Sequence, residues 1–288
     1  MKQTRRIHEK INERILFVCG MTSIIAVLGI TIFIFFKGIP AIQEIGLKQF
    51  LLGQEWQPTG GSFGLLPMIV GSIYVTLGSL VLGAPIGVLT AIFISEIASK
   101  RISSLYRGLV ELLAGIPSVV YGFFGLATIV PTIDRILGGG GNSLLAASII
   151  LGIMILPTII SISETAIKSV PTELKEGSLA LGASDIYTIF KVTIPAARSG
   201  ILTSLVLAIG RAIGETMAVI LVAGNTPLVP KAIEDRVRTL TGNIALEMGY
   251  AHGLHQQALF ATGVILFMFI IALNLLLIIF NKKVGGDR

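Results

Sequence analysis

Six apolar stretches, each long enough to cross a lipid bilayer as a helix, constrain this chain more than any other feature of its sequence. A membrane-spanning helix requires about 20 consecutive, mostly apolar residues. Because the bilayer interior has no water to satisfy backbone N–H and C=O groups, a chain embedded in lipid must form helices or a closed barrel. The sequence therefore predicts an all-α, polytopic membrane protein with transmembrane helices at residues 15–36, 66–94, 109–130, 144–162, 201–223 and 258–280.

The composition and the small residues agree with a packed helical bundle. Only 13% of the residues are charged and 53% are hydrophobic, whereas soluble domains contain about 25% charged residues. The second stretch contains Gly71, Gly78, Gly83 and Gly87, and small residues allow membrane helices to approach each other closely. The first stretch is longer than the apolar core of a signal peptide and no small-residue cleavage site follows it, so we expect the protein to keep it.

The positive charges between the stretches predict the orientation. If the N-terminus lies in the cytoplasm, 15 of the 22 Lys and Arg residues fall on the cytoplasmic side, six fall on the other side, and Arg211 lies within a stretch. Because Lys and Arg accumulate in cytoplasmic loops, we expect a multi-pass protein of the plasma or inner membrane with both termini in the cytoplasm. This asymmetry explains the net charge of +6 without a nucleic-acid partner.

A polar insert, residues 163–199, separates the fourth and fifth stretches and lies in the cytoplasm on this topology. Pro171 and Thr172 are expected to begin a first helix, and Gly182 is expected to end it. Ala183, Ser184 and Asp185 form a cap for a second helix over residues 186–193, which Pro195 is expected to end before the next span. Apolar residues of the resulting helix–turn–helix are suited to a groove on another protein: Leu179, Leu181, Ile186, Ile189 and Phe190.

No catalytic or nucleotide-binding motif is recognisable in the sequence. It contains no P-loop, no His-Glu-x-x-His zinc helix and no Gly-x-Ser-x-Gly elbow. His252 and His255 have no further metal ligands clustered nearby, so they indicate a solvated loop or a helix end rather than a metal site. We therefore expect no enzymatic activity, no bound metal and no cofactor of its own, and uphill transport would take its energy from a partner or an ion.

The fifth stretch carries two opposite charges near its middle, Arg211 and Glu215. At a spacing of four residues they share one helix face, and each charge at mid-bilayer costs roughly 2.5–3.5 kcal/mol. In a structural interpretation the two side chains neutralise each other and hold neighbouring helices. In a functional interpretation, which we favour, Arg211 lines an anion path because a guanidinium presents a planar donor fork to oxyanions, and Glu215 orients it. Arg107 and Glu111, with the same spacing, are predicted to form an ordinary interfacial pair.

The insert resembles the EAA loop of ABC importer permeases. Glu176-Gly177-Ser178, with Gly182 six residues after the glutamate and then Ile194-Pro195, keeps the spacing of that motif, with Gly177 and Ser178 in place of two alanines. In that family the loop is the coupling helix that docks into a separate cytoplasmic ATPase. The resemblance implies this coupling role for seven residues: Glu176, Gly177, Ser178, Gly182, Ala183, Ile194 and Pro195.

Three further segments resemble the permeases of phosphate-specific transporters: residues 63–72, 111–125 and 210–219. The Glu-Leu-Leu-Ala-Gly-Ile-Pro sequence from Glu111 is similar to the PstC-type subunit. The resemblance implies a type I ABC importer permease fold and an ATP-driven importer of inorganic phosphate. It further implies three partners: a PstA-type second permease, a dimeric ABC ATPase that uses the ATP, and an extracytoplasmic phosphate-binding protein. Residues 66–288 would form the permease domain, preceded by a tail, a helix and an extracytoplasmic segment over residues 1–65.

Two alternatives remain open at the level of the sequence. One arginine indicates an anion and nothing narrower, so sulfate, molybdate or phosphonate would satisfy the same charge argument as phosphate. A secondary carrier that uses Arg211 and Glu215 for ion-coupled exchange is the other alternative.

Overall fold

A computed structural model describes residues 2–285, with side chains described for residues 12–275. Within that part of the chain, six helical segments are long and apolar enough to cross a membrane. The predicted all-α, polytopic architecture is therefore confirmed. The segments are Asn12–Ile45, Leu66–Ile97, Ser118–Leu137, Leu144–Lys168, Asp185–Gly214 and Gly253–Leu275.

Thirteen α-helices, three π-helical turns, one 3-10 turn and one short β-hairpin make up the described chain. The α-helices are α1 (Lys2–Ile45), α2 (Leu47–Leu52), α3 (Leu66–Ile92), α4 (Lys100–Gly115), α5 (Ser118–Phe124), α6 (Val130–Leu137), α7 (Leu144–Lys168), α8 (Thr172–Ala180), α9 (Asp185–Thr188), α10 (Ile194–Gly214), α11 (Met217–Val222), α12 (Leu240–Glu247) and α13 (Gly253–Gly285). The π turns are Phe93–Ile97, Gly125–Ile129 and Ile189–Thr193, and the 3-10 turn is Pro58–Gly60. Strands β1 (Trp56–Gln57) and β2 (Ser62–Phe63) pair antiparallel.

α3 and α7 form the centre of the bundle and run parallel. A Cβ atom added to Gly83 would lie 2.8 Å from the carbonyl oxygen of Gly152, and one added to Gly87 would lie 2.7 Å from the side chain of Ile159. The predicted role of the glycines in the second stretch is confirmed, because residues with a side chain would force the two helices apart.

The direction of these helices defines two ends of the bundle. α3 begins directly after the β-hairpin, and we call that side the hairpin end. α3 and α7 both run from there toward the polar insert, which we call the insert end. α10 returns antiparallel to α7, since Gly200 lies against Ala166 while Arg211 lies against Thr158. Between these contacts the hydroxyls of Ser163 and Ser204 form a buried hydrogen bond at 2.8 Å. α1 packs against α13 on the outside, where Gly38 approaches the backbone of Ala261.

The third predicted helix, residues 109–130, is wrong as a single element. α4 ends at Gly115, Ile116 is extended with φ −70° and ψ 126°, and the span begins at Ser118. The cause is Pro117, which disfavours a helical conformation of the preceding residue. Glu111 therefore lies in α4, outside the span. Its predicted pair with Arg107 is also wrong, since Arg107 Nε donates to Glu164 at 2.6 Å instead.

Pro195 does not end the second helix of the insert, contrary to the sequence-based expectation. The helical segment runs unbroken from Asp185 to Gly214. A π turn over Ile189–Thr193 precedes Pro195, and the N–H of Ile194 bonds the carbonyl of Ile189. Pro195 stands in the first turn of α10, where its missing N–H is tolerated because the hydrogen-bond register changes there.

Candidate functional site

The turn of the polar insert has a fixed conformation that requires glycine. α8 ends at Ala180, and Gly182 has φ +86°, a left-handed conformation that disfavours residues with a Cβ. The N–H of Gly182 bonds the carbonyl of Leu179 at 2.9 Å, and the N–H of Ala183 bonds that of Ser178 at 3.2 Å. This pattern is a Schellman motif, so the predicted break at Gly182 is confirmed.

Side-chain hydrogen bonds join the two helices of the insert. Ser184 caps α9, and its hydroxyl accepts from the N–H of Tyr187 at 3.3 Å, as the cap prediction requires. The hydroxyls of Ser178 and Thr188 meet at 2.9 Å and connect α8 to α9. This bond and the Gly182 turn together connect the two helices of the insert.

The tip of the insert presents apolar side chains to its surroundings. Leu181 is 91% exposed and Ile186 is 70% exposed, and Leu179 and Phe190 are exposed as well. Ile189 is the exception to the predicted set: it is buried against Ile167, Val170 and Ala197 at the insert end of the bundle. Ile189 therefore anchors the insert, whereas the other four residues form a free apolar surface.

An ion pair attaches the insert to the second membrane span. Lys175 Nζ of α8 lies 2.6 Å from Glu96 Oε1 in the π turn that ends this span, and both side chains are largely covered. Charged groups withdrawn from water interact more strongly than at an exposed surface. The neighbouring Glu176 is exposed and has no side-chain partner among the described residues, so its carboxylate is available to another protein.

Arg211 lies on α10 with an exposed side chain. Its Nη1 donates to Thr158 Oγ1 on α7 at 3.1 Å, directly after Pro157. Among the described residues Arg211 has no ion pair and no second side-chain hydrogen bond, so further donors of its guanidinium are available there.

Glu215 does not share a helix face with Arg211, so that geometric prediction is wrong. α10 ends at Gly214, and Glu215 is extended with ψ 132°. Its carboxylate accepts from the backbone N–H groups of Thr216 at 3.1 Å and Ala218 at 3.3 Å. The first N–H groups of a helix lack partners within that helix, and an acidic side chain satisfies them favourably. Glu215 thus caps α11 and fixes a break in the chain beside Arg211.

A buried network at the hairpin end centres on Glu247, which the sequence did not single out. Its carboxylate accepts from Trp56 Nε1 at 2.9 Å and from Arg238 Nη1 at 2.5 Å, and it contacts His255 Nε2 at 2.8 Å. His255 also packs against the rings of Trp56 and Phe63. His255 lies in the first turn of α13, in agreement with the predicted helix end, but its side chain is largely covered rather than solvated. The network joins the hairpin, α12 and α13.

Two ionisable groups near this network have shifted pKa values. Burial, followed by the negative charge of Glu247, raises the pKa of Tyr250. The backbone N–H groups of Lys231 and Ala232, which donate to Asp235 at 2.7 and 2.9 Å, lower the pKa of that exposed carboxyl. Both shifts move the pKa further from neutral pH, so Tyr250 stays uncharged and Asp235 stays ionised there.

Comparison with known proteins places this architecture in a family. Residues 83–286 match the family described as binding-protein-dependent transport system inner membrane component, and the chain belongs to it. It is therefore a multi-pass permease subunit of the inner membrane that operates with an ABC ATPase and a substrate-binding protein.

Individual relatives and a solved structure agree with this membership. The chain is 41% identical to the probable ABC transporter permease protein YqgH of Bacillus subtilis (strain 168), over 96% of this chain and 93% of that protein. It is 33% identical to the phosphate transport system permease protein PstC of Mesorhizobium japonicum, over 83% and 80%. Its fold matches a chain of the inward-facing MetNI methionine ABC transporter, with a TM-score of 0.58 at 21% identity, over 77% and 94%. The predicted type I ABC importer permease fold is confirmed.

Glu215→Ala is expected to destabilise the chain by about 0.5–2 kcal/mol, the usual cost of removing a helix cap. Glu215→Gln keeps an acceptor oxygen and loses the charge, so it should retain most of the stability. Thermal unfolding of both purified variants in detergent measures the difference. Equal stability of the parent and the alanine variant would show that Glu215 does not cap α11.

Proposed function

We propose that this chain is the PstC-type permease subunit of an ATP-driven ABC importer for inorganic phosphate. It forms part of the translocation path, and its residues 176–195 receive the conformational change of the ATPase. It carries out no bond chemistry and binds no cofactor, since the partner ATPase uses the ATP. Residues 66–288 act as the permease domain, with the insert as its coupling segment.

The observation that carries this proposal is the attachment of the insert. Its tip is apolar and exposed, with Leu181 and Ile186 open to a partner. Its base is joined to a membrane span by the Lys175–Glu96 pair. A helix with an apolar face fits a groove on another protein, and in this permease family the ATPase is the partner that supplies energy.

The contacts of the chain suggest how a displacement of the insert is transmitted to the centre of the membrane. Pressure at the Gly182 turn would move α8, and the Lys175–Glu96 pair would carry that movement to the end of the second span. α3 packs directly on α7 through its glycines, and α7 holds Arg211 through Thr158. Coupling between distant sites travels through such contiguous packed elements.

The exposed guanidinium of Arg211 supports a place on the anion path. A charged side chain within a membrane span faces the bundle interior or a water-filled cavity rather than lipid. Arg211 uses one donor on Thr158, and its remaining donors suit the oxygens of an oxyanion. Glu215 contributes by holding the break beside Arg211 rather than by pairing with it.

The partners of the proposed complex follow from the same assignment. They are a PstA-type second permease, a dimeric ABC ATPase and an extracytoplasmic phosphate-binding protein. On this proposal both termini lie in the cytoplasm, on the side of the insert and the ATPase. The choice of phosphate rests on the PstC relatives, which are phosphate transport system permeases.

Gly182→Val is expected to uncouple transport, because a β-branched residue in a left-handed conformation costs about 1–2 kcal/mol or more. Gly182→Asn is the matched control, since Asn tolerates this conformation. Phosphate uptake and binding-protein-stimulated ATP hydrolysis are measured in proteoliposomes with the complete complex. The valine variant should lose uptake while its spans stay folded, and the asparagine variant should keep uptake. If valine keeps both activities, the Gly182 turn does not dock.

Arg211→Gln is expected to lower phosphate uptake about tenfold or more, because it removes a charge-assisted contact worth about 1.5–3 kcal/mol. Size-exclusion chromatography checks that the complex still assembles, and competition with sulfate in the parent complex checks the substrate. Undiminished uptake by the glutamine variant would remove Arg211 from the path. If sulfate competes for uptake as well as unlabelled phosphate does, the substrate is a broader class of oxyanions rather than phosphate alone.

A further inference from the structure

One face of α7 carries hydroxyl groups along the half of the helix that leads to the insert end. Thr158, Ser161 and Thr165 are spaced by three and four residues, so they lie on the same helix face. Ser161 and Thr165 are exposed and Thr158 is half-buried, whereas Ile155 and Ile159 on the same helix are fully buried. The most central helix of the bundle therefore has one open, polar face.

This hydroxyl face begins at Arg211 and ends at the cytoplasmic boundary. Thr158 accepts the hydrogen bond of Arg211, and Lys168 ends α7. At 1.5 Å per residue the ten residues between them span about 15 Å, which is about half of the hydrocarbon core. The face thus covers the distance from the middle of the membrane to the cytoplasm.

The face opens into a cavity of about 310 Å³ between α4 and α7. We call this cavity the cytoplasmic cleft. One water requires only about 15 Å³ of such space, so the cleft has room for a partly hydrated ion. Its polar lining consists of Arg107, Glu111, Ser161, Glu164, Thr165 and Lys168.

The charges of the cytoplasmic cleft are arranged to hold an anion weakly. Arg107 and Lys168 both contact the same oxygen of the buried Glu164, at 2.6 and 2.5 Å, and each cation is 43% exposed. Neither cation has another side-chain partner among the described residues, so each keeps free N–H donors. Glu111 adds a second carboxylate to the wall. A transport site must bind strongly enough to admit an ion and weakly enough to release it, and cations already shared with carboxylates satisfy both conditions.

We infer that the cytoplasmic cleft is a second anion site, which receives a small tetrahedral oxyanion from Arg211 along the hydroxyl face and releases it to the cytoplasm. This inference rests on the proposed function for its direction of transport. Arg107 and Lys168 supply the N–H donors, and Ser161 and Thr165 supply hydroxyls along the way.

The inference is tested by thiol labelling of the full chain in the assembled transporter, in nanodiscs of phosphatidylcholine alone and, in a second series, of phosphatidylcholine mixed with anionic phosphatidylglycerol. The native Cys19 is exposed on α1 and is first replaced in a C19A background. Thr165→Cys and Ser161→Cys report the cleft. Thr22→Cys on α1 is the matched control, because Thr22 and Thr165 are both exposed and each donates to the carbonyl four residues earlier at 2.8 Å.

Both cleft variants, Thr165→Cys and Ser161→Cys, should react with the anionic, membrane-impermeant reagent sulfonatoethyl methanethiosulfonate. Inorganic phosphate at about ten times its dissociation constant should slow this labelling about tenfold, and chloride at equal ionic strength should not. Thr22→Cys should stay unlabelled in lipid. Adding Lys168→Gln to Thr165→Cys should lower the ratio of anionic to cationic reagent rates.

Three results would overturn the inference. The first is that the cleft variants are labelled no faster than Thr22→Cys. The second is that phosphate does not slow the labelling of the cleft variants. The third is that only anionic lipids in the nanodisc, and not phosphate, protect the cleft thiols from the reagent. The last result would make the cleft a headgroup site. Phosphate uptake by the C19A parent in proteoliposomes is measured separately. If the parent does not transport phosphate but phosphate still protects the thiol introduced by Thr165→Cys, the proposed function fails and the cleft remains an anion site.

Discussion

α3 and α7 lie so close that a single Cβ atom at Gly83 would meet the backbone of Gly152. The insert and α12 are both attached to this helix pair, one at each end. At one end of the pair, Glu96 holds the insert through Lys175. At the other end, the Ser72 hydroxyl accepts from the N–H of Leu240 and fixes the start of α12. A pair packed at this distance is rigid, because interiors at native density transmit displacement rather than absorb it.

The charged side chains inside the bundle are held by contacts with α7. Arg211 is held by Thr158 of α7, and Glu164 of α7 gathers Arg107 and Lys168. α7 therefore contacts cations at two levels along its length, Arg211 of α10 at one and Arg107 of α4 with its own Lys168 at the other, and hydroxyls lie between them. Membrane-embedded charges are costly unless they are paired or hydrated, and this arrangement reduces the cost with partners that leave donors free. α7 thus carries or contacts the groups proposed to bind the anion, and it packs against α3, whose span is joined to the insert.

The sequence predicted the features that depend on composition and local chemistry. The number of membrane-spanning segments, the close packing at the glycines of the second span, the Gly182 turn and the Ser184 cap were all predicted by local rules. Two prolines have structural effects that local sequence rules did not predict. Pro117 interrupts the predicted third helix, and Pro195 lies where the backbone changes from π to α register, which residue spacing alone does not reveal. Glu215 capping α11 was missed because hydropathy treats residues 201–223 as one apolar run. The Trp56–Glu247 bond joins residues 191 positions apart, beyond any local pattern.

The central claim, that the insert moves the membrane spans through one joint, is tested most directly by exchanging the charges of that joint. Lys175→Glu and Glu96→Lys are made singly and together in the complete complex, and ATP hydrolysed per phosphate transported is measured in proteoliposomes. Each single variant places like charges side by side and should raise this ratio several-fold, and the double variant should return it toward the parent value. An unchanged ratio in the single variants would contradict the account.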